Sequence, residues 1–249
     1  MNEIWIPQNN VSAIGAAYAK AAGGYVERHP GYTTTVAPGF FYVRNVIDAP
    51  DKQEMQEIID EIIKGKAEGK TTSTTFTKET VPEGTVELFQ KNGFETYFIQ
   101  DGMILDPGAS LDPDIDPHVR RIESNELSRW MDAMIEGFAE ETGKLREEEV
   151  FAKMMLDPDF HFLVYEEEGI IMGTVLFHLL PEYSGIHEVA VPKRFRGRSI
   201  SKKILKYALR IVAENGNKGA ALQASPMGRP VYESMGFRKV SELHTVFIK

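Results

Sequence analysis

At 249 residues the chain suffices for one large domain or two of ordinary size. Apolar residues at 42% and charged residues at 26% exclude wholesale disorder and collagen-like repetition. A formal charge of -9 argues against a general nucleic-acid binder, and the absence of cysteine excludes disulfides, thiolate metal sites, iron–sulfur clusters and a cysteine nucleophile.

The chain begins Met1-Asn-Glu-Ile-Trp5, with neither a basic lead nor an apolar run, so no secretory leader is expected and a cytoplasmic location is. A strand is expected over Phe40 to Ile47. An amphipathic helix follows, marked by Met55, Ile58, Ile59, Ile62 and Ile63. After Phe89-Gln-Lys-Asn-Gly-Phe94 comes a strand from Glu95 to Leu105. The segment from Asp106 to Pro117 holds three Pro, one Gly and four Asp, and reads as a linker. Asp112, Asp114 and Asp116 imitate the start of a calcium loop. Pro117 stands where such a loop needs its turn glycine and the closing glutamate is missing, so no metal is expected.

Beyond the linker, Leu127, Trp130, Met131, Met134, Ile135 and Phe138 give helical spacing over 123–142, with Ser124 as its cap. His161 to Tyr165 reads as a strand, Glu166 to Gly169 as a turn, and Ile170 to His178 as the hairpin partner. Gly169 to Leu180 is the most apolar stretch, yet roughly half a membrane span, so no membrane partner is expected. Ile186 to Val191 is a strand, and Ile200, Ile204, Leu205, Ala208, Ile211 and Val212 mark a helix ending near Gly216. Gly219 to Ala224 is a strand, Val231 to Met235 a short helix stopped at Gly236, and Lys239 to Ile248 a final strand. The order describes a mixed α/β domain.

The two halves echo each other. Tyr232-Glu-Ser-Met-Gly-Phe237 repeats the aromatic-x-x-x-Gly-Phe pattern of Phe89 to Phe94, again before a final strand. Gly93 lies 47 positions after Val46, and Gly236 lies 45 after Val191. An internal duplication is expected.

From Val189 to Ala213 there are eight basic residues (Lys193, Arg194, Arg196, Arg198, Lys202, Lys203, Lys206, Arg210) and no acidic one. The first five cluster at a strand-to-helix turn, where free amides and the helix dipole favour phosphate. Lys206 and Arg210 fit a solvated face.

Val189-Ala-Val-Pro-Lys-Arg-Phe-Arg-Gly-Arg-Ser-Ile-Ser201 resembles the acyl-CoA motif of the GNAT superfamily of N-acetyltransferases. That family writes Arg/Gln-x-x-Gly-x-Gly/Ala there and grips the coenzyme A pyrophosphate. Ala224-Ser-Pro-Met-Gly-Arg-Pro-Val-Tyr232-Glu-Ser-Met-Gly-Phe237 is similar to the family's second motif, whose tyrosine sits near the thioester sulfur. The resemblance covers about residues 118 to 249. Both motif glycines are replaced, by Ser199 and Ser201, which adds a Cβ and a hydroxyl at each. In the first half, Asn45-Val-Ile-Asp-Ala-Pro-Asp-Lys52 puts Asp48 and Asp51 where an anion would sit.

The resemblance implies two GNAT-like units, each a mostly antiparallel central sheet flanked by helices. Residues 1–105 would be a degenerate unit without a coenzyme site, 106–117 a linker, and 118–249 the catalytic domain. It implies acetyl-CoA as cosubstrate, held by Val189, Ala190, Val191, Arg196, Gly197, Arg198, Ser199, Ile200, Ser201 and Ser225. Tyr232 would be the acid that protonates the leaving thiolate. Glu188 or His187 would be the base, and alternation sends those two to opposite faces of a strand. The expected reaction is acetyl transfer to an amine of a small molecule, amino acid or peptide. A non-catalytic acyl-CoA-binding module is the alternative, and a homodimer is left open.

Overall fold

A computed structural model describes residues 2–38, 41–47, 51–68, 73–106, 115–138 and 148–248. The elements run α1 (Trp5–Ala21), β1 (Tyr25–His29), β2 (Tyr32–Ala37), β3 (Phe41–Ile47), α2 (Lys52–Ala67), β4 (Ser73–Thr77), α3 (Thr85–Lys91) and β5 (Phe94–Leu105). Then come β6 (Val119–Arg121), α4 (Leu127–Phe138), α5 (Glu148–Met154), β7 (Phe160–Glu167), β8 (Ile170–His178) and β9 (Tyr183–Ala190). The chain closes with α6 (Ile200–Glu214), β10 (Gly219–Ala224), α7 (Arg229–Glu233) and β11 (Arg238–Ile248). The fold is mixed α/β, with mostly antiparallel sheets flanked by helices. No helix among the described residues is long and apolar enough to cross a membrane.

The chain forms two compact units. One gathers Met1–Met103, Gln223–Arg229 and Lys239–Lys249; the other gathers Ile104–Leu222 and Pro230–Arg238. In the first, the strand order is β1-β2-β3-β4-β11-β5, with β3 and β4 parallel and β4 and β11 antiparallel. Met55, Ile58, Ile59 and Ile62 lie on one stripe of α2 and pack with Phe76, Phe89, Phe94 and Val246. The last strand was expected with the second half. Instead β11 pairs with β4, Leu243 opposite Thr77 and Val246 opposite Thr74, because register between remote strands is set by tertiary packing and not by position in the chain.

In the second unit the order is β10-β9-β8-β7-β6, with β9 and β10 parallel and the rest antiparallel. Trp130 on α4 is buried, donates its indole N–H to the Leu163 carbonyl at 3.1 Å, and meets Phe162 edge to face at 5.1 Å. Before α4, the capping acid is Glu123 and not Ser124. Its carboxylate and that of Glu126 reciprocally accept each other's backbone N–H, whereas the residue three positions after Ser124 is Leu127, which has no acceptor to return. The hairpin turn between β7 and β8 shrinks to Glu168 and Gly169, so Glu166 and Glu167 belong to the strand. Residues 139–142 of the expected helix and 107–114 of the expected linker lie outside the described residues, Asp112 and Asp114 among them.

The two aromatic-x-x-x-Gly-Phe segments form the same local turn. Gly93 and Gly236 both take positive φ, 85° and 91°. Phe89 meets Phe94 edge to face at 5.0 Å, and Tyr232 meets Phe237 likewise at 5.9 Å.

Candidate active site

The second unit places its chemistry around one strand and the helix that follows it. The parallel register of β9 with β10 covers Tyr183, Ser184 and Gly185, and β9 continues five residues further. On the other side, Ala190 pairs with Thr174 and His187 with Leu176, so Glu188 and Val189 together oppose the single residue Val175. This is a β-bulge, and Glu188 takes a left-handed φ of 50° to make it. Thr174, fully buried, donates its hydroxyl to the Glu188 carbonyl at 3.3 Å. The bulge breaks the alternation that was expected to send His187 and Glu188 to opposite faces. His187, Glu188 and Val189 are all half-buried in succession.

After β9, Lys193–Phe195 forms a 3-10 turn and α6 begins at Ile200. Gly197 has φ 81°, and a Cβ built on it would meet nothing within 4 Å, so the backbone there is open to a close-approaching ligand. Ser199 follows with φ 58°, and its side chain makes no cap to the helix. The amides of Ile200, Ser201 and Lys202 precede the first intrahelical bond, from the Lys203 amide to the Ser199 carbonyl at 3.2 Å, and lack that side-chain cap; they carry the positive end of the helix dipole. The helix start is anchored by buried Ile200, which packs where Gly173 of β8 leaves room: a Cβ at Gly173 would lie 2.6 Å from it. An isolated glycine inside a strand pattern is the sequence signal for such an approach.

The basic run is not an unopposed positive face. Arg194 pairs with Glu136, Arg198 donates to Glu167 at 2.7 Å and to the Met172 sulfur at 3.2 Å, and Lys203 pairs with Asp116 at 2.9 Å. Arg210 pairs with Glu214 at 2.6 Å. For Arg194, Arg198 and Lys203, acids from elsewhere in the chain supply what the local sequence lacks. Arg196 turns inward, donating to the carbonyls of Val191 and Gly137, each at 3.0 Å. The Gly137 carbonyl is in the last turn of α4, where helix geometry leaves carbonyls without partners. Arg196 thus ties the loop to α4.

The Arg198 guanidinium and the Tyr165 hydroxyl hold the Glu167 carboxyl below its ordinary value, the hydroxyl being the stronger influence. Asp116, then Tyr165, raises the Lys203 ammonium. Sequence reasoning missed Glu167, Tyr165 and Asp116 here, because none is near the loop in the chain.

Tyr232 on α7 is 7% exposed. Ser225 lies in the first unit and serves its own turn, its hydroxyl accepting from the Gly228 amide at 3.2 Å and its carbonyl from the Arg229 amide at 2.9 Å. The start of α2 in the first unit offers a contrast. Asp51 caps it, accepting from the amides of Gln53 and Glu54, both at 2.9 Å. Asp48 lies outside the described residues.

The profile of the family described as "Acetyltransferase (GNAT) domain" matches residues 131–246. None of the curated proteins matches the chain. Among solved structures, a GCN5-related N-acetyltransferase from Kribbella flavida is 14% identical with a TM-score of 0.69, covering 95% of this chain and 95% of that one. A GCN5-related N-acetyltransferase from Sphaerobacter thermophilus is also 14% identical, TM-score 0.61, over 98% and 92% of the two chains. A functionally unknown conserved protein from Staphylococcus epidermidis ATCC 12228 gives 14%, 0.65, and coverage of 89% and 92%. At that identity the likeness is one of fold. The profile match gives residues 131–246 of this chain a GNAT acetyltransferase domain, and the solved structures share its fold.

Proposed function

We propose that the second unit binds acetyl-CoA at the start of α6 and transfers its acetyl group to an amine of a small molecule, amino acid or peptide. The observation that carries this is the uncapped start of α6, with Gly197 open and Ser199 left-handed, directly after a bulged β9. These residues fit a diphosphate: amides from Gly197 to Ser201 donate, and no Cβ at Gly197 blocks approach. Acetyl-CoA supplies the acetyl group as a thioester. The Ser199 and Ser201 hydroxyls add donors where the family motif has none.

The chain's own residues then have three tasks. Val189, Ala190 and Val191, past the stretch of β9 paired with β10, align the pantetheine arm by strand addition, with an amide at the bulge donating to the thioester carbonyl as negative charge grows there. Glu188, with His187 beside it, takes the proton of the attacking amine, directly or through a water. Tyr232 gives its phenolic proton to the departing thiolate. The first unit is a degenerate copy in this reading. Its shared Gly-Phe turn supports the common origin, and the Asp51 carboxylate on α2 supports the loss of an anion site.

The test is calorimetry with acetyl-CoA on the whole chain, followed by free-thiol release with a panel of amines. One site per chain and amine-dependent thiol release are expected. No binding contradicts the proposal, two equivalent sites contradict the degenerate first unit, and binding without release on any amine makes the chain a non-catalytic acyl-CoA module.

A further inference from the structure

We infer that Glu167, at the end of β7, is a built-in counter-anion that competes with the coenzyme's phosphates for Arg198 and so sets the affinity of the site. The inference rests on the placement of acetyl-CoA at the start of α6. Arg198 is the residue before Ser199, so its guanidinium is within reach of any anion seated on the first turn of the helix. In the structure that guanidinium is committed elsewhere, to the Glu167 carboxylate at 2.7 Å.

Glu167 does not wander with its partner. Its second oxygen accepts from the Tyr165 hydroxyl, whose ring is buried in the second unit. That same hydroxyl accepts from Lys203 at 3.1 Å, and Lys203 is held by Asp116 at 2.9 Å. The carboxylate is pinned from the sheet side, whereas Arg198 is a long side chain, nearly half exposed, on a loop. Two arrangements follow: Arg198 on Glu167, or Arg198 on a phosphate. A phosphate gains the second only by undoing the first, so apparent affinity falls by the fraction of molecules in which Arg198 is released. Exposed ion pairs of this kind are weak, which limits the penalty to about two- to fivefold in Kd.

Glu167→Gln tests this, since the amide carbonyl still accepts from Tyr165 while the charge on Arg198 is freed. Acetyl-CoA affinity is measured by calorimetry at two salt concentrations for wild type, E167Q, R198Q and the double variant. Glu214→Gln, at the far end of α6, controls for removal of one negative charge. The expected result is about two- to fivefold tighter binding in E167Q, larger at low salt, absent from E214Q, and absent when R198Q is the background. Unchanged or weaker binding in E167Q overturns the inference, as does an equal gain in the R198Q background or in E214Q. If wild type binds acetyl-CoA and E167Q binds it equally, only the counter-anion fails. If neither binds, the placement of acetyl-CoA fails and the counter-anion with it.

Discussion

Thr174 of β8 donates its hydroxyl to the carbonyl of Glu188 at the point where β9 carries one residue more than its partner. The buried threonine satisfies a backbone group that the ladder itself leaves out of step. It thereby stabilises a non-glycine residue at φ 50°.

Thr174→Val keeps the shape and removes the donor. Stability should fall by about 1 kcal/mol, the usual net worth of one hydrogen bond, here one to a part-buried carbonyl. The acetyl-transfer rate should fall by about tenfold, equivalent to about 1.4 kcal/mol on the barrier, because the bulge then relaxes. Urea unfolding and single-turnover rates check the two effects. A variant destabilised but fully active would show that the bulge is structural and not catalytic.

Tyr232→Phe removes one hydroxyl and leaves the edge-to-face contact with Phe237 intact. If the phenol protonates the leaving thiolate, the single-turnover rate should drop by about 100-fold or more while acetyl-CoA affinity changes little. A wild-type rate at every pH would leave Tyr232 as a packing residue, like Phe89 in the first unit.

Acid stability has a named contributor. Arg120 donates to both oxygens of Glu126, at 2.5 and 2.7 Å, and with the Glu123 amide holds that carboxyl near a pKa of about 2, against an ordinary 4.5. A depressed folded value stabilises fully above the unfolded pKa and is lost as pH falls through the folded one, here between about 4.5 and about 2. Glu126→Gln cannot titrate. Its deficit in urea midpoint should be largest above about pH 5 and should shrink toward pH 2. A deficit independent of pH would assign the loss to shape or to hydrogen bonding alone.

Much of the second unit was legible in its residues. The bounds of β8 and β10 were readable because apolar runs end at turn residues, and α6 because six apolar positions fall on one stripe. The first unit was harder. The α1 helix is rich in alanine and buries Gln8 and Asn10, so it shows no clean apolar stripe. Threonines carry β2 and β4, and β1 is almost wholly exposed, so neither hairpin nor core strand announces itself by alternation. The pairing of β11 with β4 joins residues far apart in the chain. Local pattern does not encode it. At the site, the helix start followed from the motif, whereas the left-handed φ of Ser199 shows only in the folded backbone, and the bulge at Glu188 and the acids facing Arg194, Arg198 and Lys203 depend on strands and loops brought alongside.

The contrast between Asp51, which caps α2 with its own carboxylate, and Ser199, which leaves α6 uncapped, gives the most direct test of where acetyl-CoA binds. Ser199→Asp imports the first unit's solution into the second, and aspartate tolerates the left-handed backbone there. A carboxylate at this helix start favours the dipole, so the thermal midpoint should hold or rise. The same charge repels a diphosphate, and acetyl-CoA affinity measured by calorimetry should fall by about 30-fold, equivalent to about 2 kcal/mol. Wild-type affinity in Ser199→Asp, with the fold intact, would contradict binding at the start of α6.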